Sequence, residues 1–319
     1  MSYADRVFKE NLKDILENGS STEGQKVRPH WEDGTPAYTI KQFGVANTYD
    51  LRKEFPAITI RRTALKSCMD EILWIFQRKS NNINDLKPHI WDEWADKDGS
   101  IGKAYGYQIG SQFLHHTITD KEYGKLFDQN KDYEEDKNGR KLYPSISYDL
   151  GDITAVYMDQ MDAVLYDLKN NPFSRRIITN IFNMEELHEM NLQPCCWSCT
   201  FNVTDEGLDK LVLNMQLTQR SNDMIAANNW NVAQYAILIM MVAQVSDMIP
   251  GKLFHVITDQ HIYDRHIDIA KELLNRTEHP APKVSLNPNI KNFYDFTTDD
   301  LIVEDYVTEP QIKNIPIAI

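Results

Sequence analysis

Apolar positions first recur at helical spacing: Val7, Leu12, Ile15 and Leu16 fall on one face of residues 5–17. A polar stretch runs from Gly19 to Gly34. Alternation then takes over in Ala37–Ile40 and Phe43–Val45 and predicts strands. Residues 55–60 form a short link into a helix over 63–78, whose apolar face is Leu65, Met69, Ile72, Leu73 and Phe76. Residues 79–110 mix Trp91, Trp94, Tyr105 and Tyr107 with acids and glycines. Residues 111–152 are polar and locally acidic, which predicts a surface insertion with helical turns. A helix over 155–170 ends at Asn170-Asn171-Pro172. Strands follow at 176–183 and 195–203, joined through Glu185–Met190, and again at 211–217. Residues 231–247 are apolar almost all round, so this helix is expected at the buried centre. A strand at 254–257, an amphipathic helix over 262–276 and a strand-like tail over 283–319 complete the pattern. No repeat and no linker divides it. The expectation is one α+β domain over residues 1–319.

Composition narrows the class. Of 319 residues, 42% are hydrophobic and 25% charged, which excludes a disordered or low-complexity chain. Lys and Arg number 34 against 47 Asp and Glu, a net charge of −13, which makes a poor general binder of nucleic-acid backbone. A few gathered arginines could still hold one phosphate. The N-terminus lacks the apolar core of a signal peptide. The longest apolar stretch, Ala236 to Val245, is interrupted by Gln244 and falls short of the roughly 20 residues that span a bilayer. Three of the four cysteines lie within five residues, which is no disulfide framework. A soluble, cytoplasmic protein with free thiols, no membrane association and no obligatory nucleic acid is expected.

Five segments could carry chemistry. Pro194-Cys195-Cys196-Trp197-Ser198-Cys199 opens a strand. Its Cys196/Cys199 spacing could be half a zinc site, but no second pair completes one. Residues three apart on a strand are also expected on opposite faces. Cys195, at the strand mouth, best fits an exposed nucleophile whose thiolate nearby cations would favour. The adjacent Arg175 and Arg176 could fork onto a phosphate, or simply be solvated. Gln219-Arg220-Ser221-Asn222-Asp223 suits a ligand edge or a turn. His261 and Tyr263 could reach a sugar hydroxyl, or mark a capped helix start. Glu71 sits among apolar residues. If it faces a cavity its pKa should rise and it could shuttle protons.

Taken in order, these segments resemble the thymidylate synthase family, the folate-dependent enzymes that methylate dUMP. The resemblance rests on Glu71-Ile72-Leu73-Trp74, Ile90-Trp91-Asp92-Glu93-Trp94, Tyr105-Gly106-Tyr107-Gln108, residues 171–176, Pro194-Cys195, residues 219–223, Asn231, His261-Ile262-Tyr263 and the terminal Ile315-Pro316-Ile317-Ala318-Ile319. It leaves out only about 111–152. It implies a mixed β-sheet packed by helices, with sheet faces forming a homodimer interface. It also implies a reaction in which Cys195 adds to C6 of the uracil ring. C5 then takes a methylene from 5,10-methylenetetrahydrofolate, which finally returns a hydride, giving dTMP and dihydrofolate without a metal.

By the same resemblance the catalytic set is Cys195, Glu71, Arg220, Asn231, Asp223 and Tyr105. The dUMP contacts are Arg28, Arg220, Ser221, Asp223, Asn231, His261 and Tyr263, with Arg175 and Arg176 reaching in from the partner of a homodimer. The folate contacts are Ile90, Trp91, Trp94, Asp223, Ala227, Trp230 and Ala318. Asn231 suits the O4/N3 edge of uracil, because an amide both donates and accepts. The tail is expected to close over the ligands and exclude water.

Three features depart from the family pattern. Val27-Arg28-Pro29-His30-Trp31 lacks the usual Gly/Thr-rich character. Cys196 stands where His is frequent. Ala227-Asn228-Asn229-Trp230-Asn231 replaces Gly-x-Pro-Phe-Asn, so a position where φ > 0 would be easy now carries a methyl group. A rebuilt loop there could admit water, and a dUMP or dCMP hydroxymethylase is the alternative within the family. A non-catalytic nucleotide-binding homologue is the alternative of another class.

Overall fold

Ser2 opens the first helix by accepting a hydrogen bond from the Ala4 amide at 3.2 Å. Helix α1 (Tyr3–Asn18) then buries Val7, Phe8, Leu12 and Ile15. In this computed structural model residues 1–119, 134–135, 141–142, 144–145 and 153–319 are described, with side chains for 1–117 and 156–319. Most of the expected insertion at 111–152 lies outside them. Its described margins are strands, not helical turns: Phe113–Thr119 pairs antiparallel with Ile153–Met158.

Six strands form the main sheet: β1 (Ser20–Ser21), β2 (Thr39–Asp50), β3 (Ile178–Asn180), β4 (Cys196–Thr204), β5 (Val212–Asp223) and β6 (Ile249–Tyr263). Their order is β1-β2-β6-β5-β4-β3. Only the β5–β6 pair is parallel, so the sheet is mixed. Leu213, Met215, Leu217 and Gln219 of β5 and Leu253, His255 and Ile257 of β6 point inward and are buried. The other face is left open. Register aligns Ile178, Thr200, Gln216, Phe254 and Thr48 in one row across it. Ile178 is 47% exposed and Phe254 39%.

Helix α2 (Leu65–Ile72) packs beside the long α3 (Asn228–Val245), which carries no charged residue and is buried on nearly every side, as its composition predicts. A π-helical turn, Leu73–Gln77, continues α2; it closes with the Arg78 amide donating to the Leu73 carbonyl at 2.8 Å.

Several expected boundaries move. The predicted helix over 155–170 begins as strand, and α4 (Gln160–Asn170) starts only where Asp159 caps the amides of Met161 and Asp162. Residues 262 and 263 belong to β6, and the amphipathic helix is α5 (Ile267–Asn275). The expected strand at 254–257 is thus the middle of a strand of 15 residues. In the tail only Lys283–Leu286 and Leu301–Glu304 pair as strands. Among the described residues no helix is long and apolar enough to cross a membrane.

Candidate active site

A bulge sets the position of Cys195. Between β4 and β5 the register slips at Trp197: Thr218 faces Ser198, but Gln219 faces Cys196. The slip corrects the expectation that Cys196 and Cys199 lie on opposite faces. Both are buried, Cys196 against Tyr235 and Cys199 against Thr179. Burial pushes both thiols up, Cys199 to about 12, so neither resembles a reactive thiolate. All four cysteines are free.

Cys195 sits just before the bulge, half-buried. Arg220 clamps its loop. The Arg220 amide donates to the Cys195 carbonyl at 2.9 Å, Nε donates to Pro194 O at 3.0 Å, and Nη2 donates to Gln193 O at 2.7 Å. The same Nη2 is 3.7 Å from Cys195 Sγ. Burial raises the thiol's pKa above its ordinary value, while the charges of Arg220 and Arg28 pull it back. The resting thiol is therefore neutral, with a cation fixed where its anion would form.

Glu71 lies on α2, 5% exposed. Trp91 Nε1 donates to its Oε1 at 2.9 Å, and Trp230 Nε1 donates to Oε2 at 2.6 Å. Burial raises its pKa to about 7, against these hydrogen bonds, which favour the ionised form. Tyr105 joins this carboxylate to the cysteine. Its hydroxyl accepts from the Cys195 amide at 3.3 Å, and its ring meets Trp91 edge-on with centroids 4.7 Å apart. Tyr105 holds φ 47°, ψ −102°, a strained backbone for a residue with a Cβ. Gly106 follows, where a Cβ would stand 2.1 Å from the Ser80 carbonyl oxygen. The aromatic-rich 79–110 segment thus folds against α2 and carries Tyr105 to the cysteine.

Asn231, in the first turn of α3, is held by one side chain from β5 and one from its own helix. Gln219 Nε2 donates to Asn231 Oδ1 at 3.1 Å, and Asn231 Nδ2 donates to Gln234 Oε1 at 3.2 Å. Each end of the amide keeps one further hydrogen-bonding capacity. Gln219 is itself fixed, since His255 Nε2 at 2.7 Å and Asn222 Nδ2 at 3.1 Å both donate to its Oε1. His255 is pushed to about 3 by burial and is neutral.

Asp223 closes β5. Its Oδ1 accepts from the amides of Ile225 at 2.8 Å and Ala226 at 3.0 Å, which shapes the turn into α3. Burial alone would raise its pKa; His266 and His261 outweigh that and hold it below the ordinary carboxylate value. Ala227 has φ −118°, so the loop does not call for the glycine that the family pattern suggested. Asn228 Nδ2 donates to Asn222 Oδ1 at 2.8 Å, and Asn229 Nδ2 donates to Thr63 Oγ1 at 2.8 Å, so the altered residues make their own lattice of hydrogen bonds. Asn229 Oδ1 and the Ile225 carbonyl both accept from the buried Arg61 guanidinium.

His261 faces Asp223 across the parallel β5–β6 pair, and Ser221 faces Asp259. His261 Nδ1 is 2.9 Å from Asp259 Oδ1. Tyr263 lies beside it, rings edge-on at 5.1 Å. Arg28 is exposed, and its charge acts on both Cys195 and Tyr263. The loop carrying Arg28 is tied to the chain end, because His30 and Ile319 exchange both backbone hydrogen bonds, at 2.8 and 3.0 Å. Ala318 therefore lies along this loop. Trp94 meets Trp91 edge-on at 5.7 Å, and Ile90 is 36% exposed beside them.

Two expected residues stand apart. Arg175 and Arg176 precede the edge strand β3, and both are exposed. Among the described residues no hydrogen bond or ion pair engages either guanidinium. Conversely, Gln234, His255 and His266 belong to the site although the sequence reading assigned them no role, and Gln219 was read only as part of a possible ligand edge. For His255 and Gln234 the one signal was a polar side chain at an inward strand position or within an apolar helix; His266, in a turn, gave none. Among the described residues no cluster of His, Cys, Asp or Glu has the arrangement of a metal site.

Set beside known proteins, the chain matches the thymidylate synthase family profile over residues 6–318. Thymidylate synthase 1 of Bacillus subtilis strain 168 is 37% identical over 310 residues, 96% of each chain. The thymidylate synthase of Bacillus phage phi3T is 36% identical over the same share of each. The solved structure of thermostable thymidylate synthase A from Bacillus subtilis aligns with a TM-score of 0.79 at 36% identity, covering 99% of both chains.

Proposed function

The chain belongs to the thymidylate synthase family, and we propose that it is a methyltransferase that converts dUMP to dTMP, consuming 5,10-methylenetetrahydrofolate. One observation carries the reading onto these residues. Cys195 Sγ stands 3.7 Å from the Arg220 guanidinium, and Tyr105 and Trp91 connect that loop to a carboxylate titrating near neutrality.

Cys195 is the nucleophile that bonds C6 of the uracil ring. Arg220 stabilises the thiolate as the proton leaves and, with Ser221 and Arg28, receives the phosphate. Asn231 reads O4 and N3–H with the two capacities that Gln219 and Gln234 leave open. His261 and Tyr263 take the deoxyribose hydroxyl. Glu71, titrating at about 7, can hold or release a proton near O4 at working pH.

The residues fit a reduced folate. Asp223 is an ionised acceptor suited to the N–H edge of a pterin, and Ile90, Trp91, Trp94, Ala227, Trp230 and Ala318 are the residues that the family resemblance assigns to the folate side. Bound there, the folate supplies the one-carbon unit and the hydride. The open sheet face with Ile178 and Phe254 supports a homodimer, and the exposed Arg175 and Arg176, whose guanidinium groups no described residue engages, support their donation to the partner's phosphate site. Nothing observed favours water capture of the methylene: Asp223 caps the altered loop from within.

Purified protein given dUMP and 5,10-methylenetetrahydrofolate should form dTMP and dihydrofolate in equal amounts, read by dihydrofolate absorbance and nucleotide mass. Hydroxymethyl-dUMP with tetrahydrofolate would overturn the reading.

A further inference from the structure

His266 occupies the single turn between β6 and α5 and is fully buried, at 0% exposure. Its ring stands edge-on to both Trp31 and Tyr263, with centroids 5.7 Å away in each case. Those contacts fix the ring's rotation, and its two nitrogens face different parts of the molecule. Nε2 is 2.7 Å from the Pro316 carbonyl oxygen. A carbonyl only accepts, so Nε2 carries a proton and donates it. Nδ1 is buried without a hydrogen-bond partner and lies 3.7 Å from Asp223 Oδ1.

We propose that His266 is a positioning residue that latches the C-terminal tail to Asp223. The inference rests on the reading of Asp223 as a folate contact. One edge of the ring holds the tail at Pro316, and the other faces the carboxylate. Three residues further on, the tail is pinned again where Ile319 and His30 exchange hydrogen bonds. The ring cannot turn towards a displaced carboxylate without releasing Pro316, because Trp31 and Tyr263 bracket it. Asp223 cannot drift either, since its Oδ1 also takes the amides of Ile225 and Ala226. Folate engagement at Asp223 and closure of the tail are therefore one linked event. Asp223 also holds the His266 pKa above its ordinary value against burial, which favours a ring with protons on both nitrogens.

Two full-length variants separate the ring's two edges. In His266→Gln the longer amide can still donate to Pro316 O. In His266→Asn the shorter amide can address Asp223 but not the tail. Backbone amide hydrogen exchange at residues 317–319 reports the latch, and dUMP affinity reports an intact nucleotide site. Exchange should quicken and the folate KM rise about tenfold in His266→Asn, the effect of one lost buried hydrogen bond, with a smaller change in dUMP affinity because the ring also packs on Tyr263. His266→Gln should restore most of the tail's protection. Equal loss of protection in the two variants, or no change in either, would overturn the latch. The wild-type protein gives a test that needs no substitution. A slowly exchanging Nε2–H signal should appear for His266 in ¹⁵N-histidine spectra, and its absence would also overturn the proposal. A wild type that made no dTMP would instead sink the functional reading, leaving the exchange results to stand on their own.

Discussion

The Trp230 indole nitrogen lies 2.6 Å from Oε2 of Glu71. With Trp91 on the other oxygen, the carboxylate sits between two neutral donors in a site that burial makes unfavourable for charge. Trp230 was expected as a folate contact. Its hydrogen bond gives it a second role, in setting the carboxylate's proton affinity. Replacing Trp230 with Phe removes one donor that favours the ionised form, so the pKa of Glu71 should climb from about 7 by roughly one unit. The limb of the kcat–pH profile that reports Glu71 should move to higher pH by that amount. An unmoved limb would reduce the indole to packing.

The same carboxylate should tilt stability against pH. A carboxyl raised from 4.5 to about 7 binds a proton more readily in the folded state than in the unfolded one. Its contribution to stability therefore declines as pH rises from about 4.5 to about 7, and is flat outside that window. Glu71→Gln removes this slope. The difference in Tm, variant minus wild type, should grow in the variant's favour between pH 5 and pH 8. Parallel Tm curves would mean that Glu71 does not titrate there.

Arg220 is both clamp and counter-charge. Arg220→Ala frees the carbonyls of Gln193 and Pro194 and removes the cation 3.7 Å from Sγ. Cys195 alkylation by iodoacetamide at neutral pH should slow about tenfold, consistent with one pKa unit of lost charge stabilisation. Cys195→Ser is the control that identifies the labelled site and should lack turnover.

The Gln219 network makes a prediction that separates binding from folding. Gln219→Leu leaves His255 Nε2 and Asn222 Nδ2 buried without their acceptor and Asn231 without its brace. Stability should fall by about 2–3 kcal/mol, and the KM for dUMP should rise about tenfold. Thermal unfolding and steady-state kinetics read the two effects. A large KM change with unchanged Tm would place Gln219 directly on the ligand.

If Arg175 and Arg176 serve the partner's site, two inactive variants should complement each other. Cys195→Ser mixed with the double variant Arg175→Ala/Arg176→Ala gives heterodimers in which one site carries both lesions and the other none. Random exchange at equal amounts should recover about a quarter of wild-type activity. Phe254→Asp, on the open sheet face, should shift sedimentation towards the monomer and abolish recovery. A mixture without activity would place the two arginines outside the partner's site.

Much of the fold is legible in the sequence. The apolar run in 231–247 required burial, and that helix is buried on nearly every side; Cys195, Arg220 and Asn231 stood out in the sequence through the motifs that carry the family resemblance. Strand ends were less legible. β5 runs on through Gln219–Asp223 and β6 through His261–Tyr263, because backbone pairing continues where polar side chains suggest a turn. The bulge at Trp197 was hidden for a related reason: alternation assumes unbroken register. Trp230 and His266 show the remaining limit. An indole and an imidazole in ordinary helical surroundings reveal nothing of partners that lie 159 and 50 residues away.

The π-helical turn Leu73–Gln77 sits immediately after Glu71 and within the same helical rod. Such a turn accommodates one residue more than a regular helix would, and it rotates everything beyond it relative to everything before. Upstream lies the carboxylate; downstream lie Lys79 and Ser80, against which Gly106 and hence Tyr105 are seated. The turn thus acts as an angular offset between two halves of the site. A chain shortened by one residue at that point could keep a smoother helix and an intact core, yet present Tyr105 out of phase with Glu71. Alignment gaps among relatives should therefore avoid 73–77.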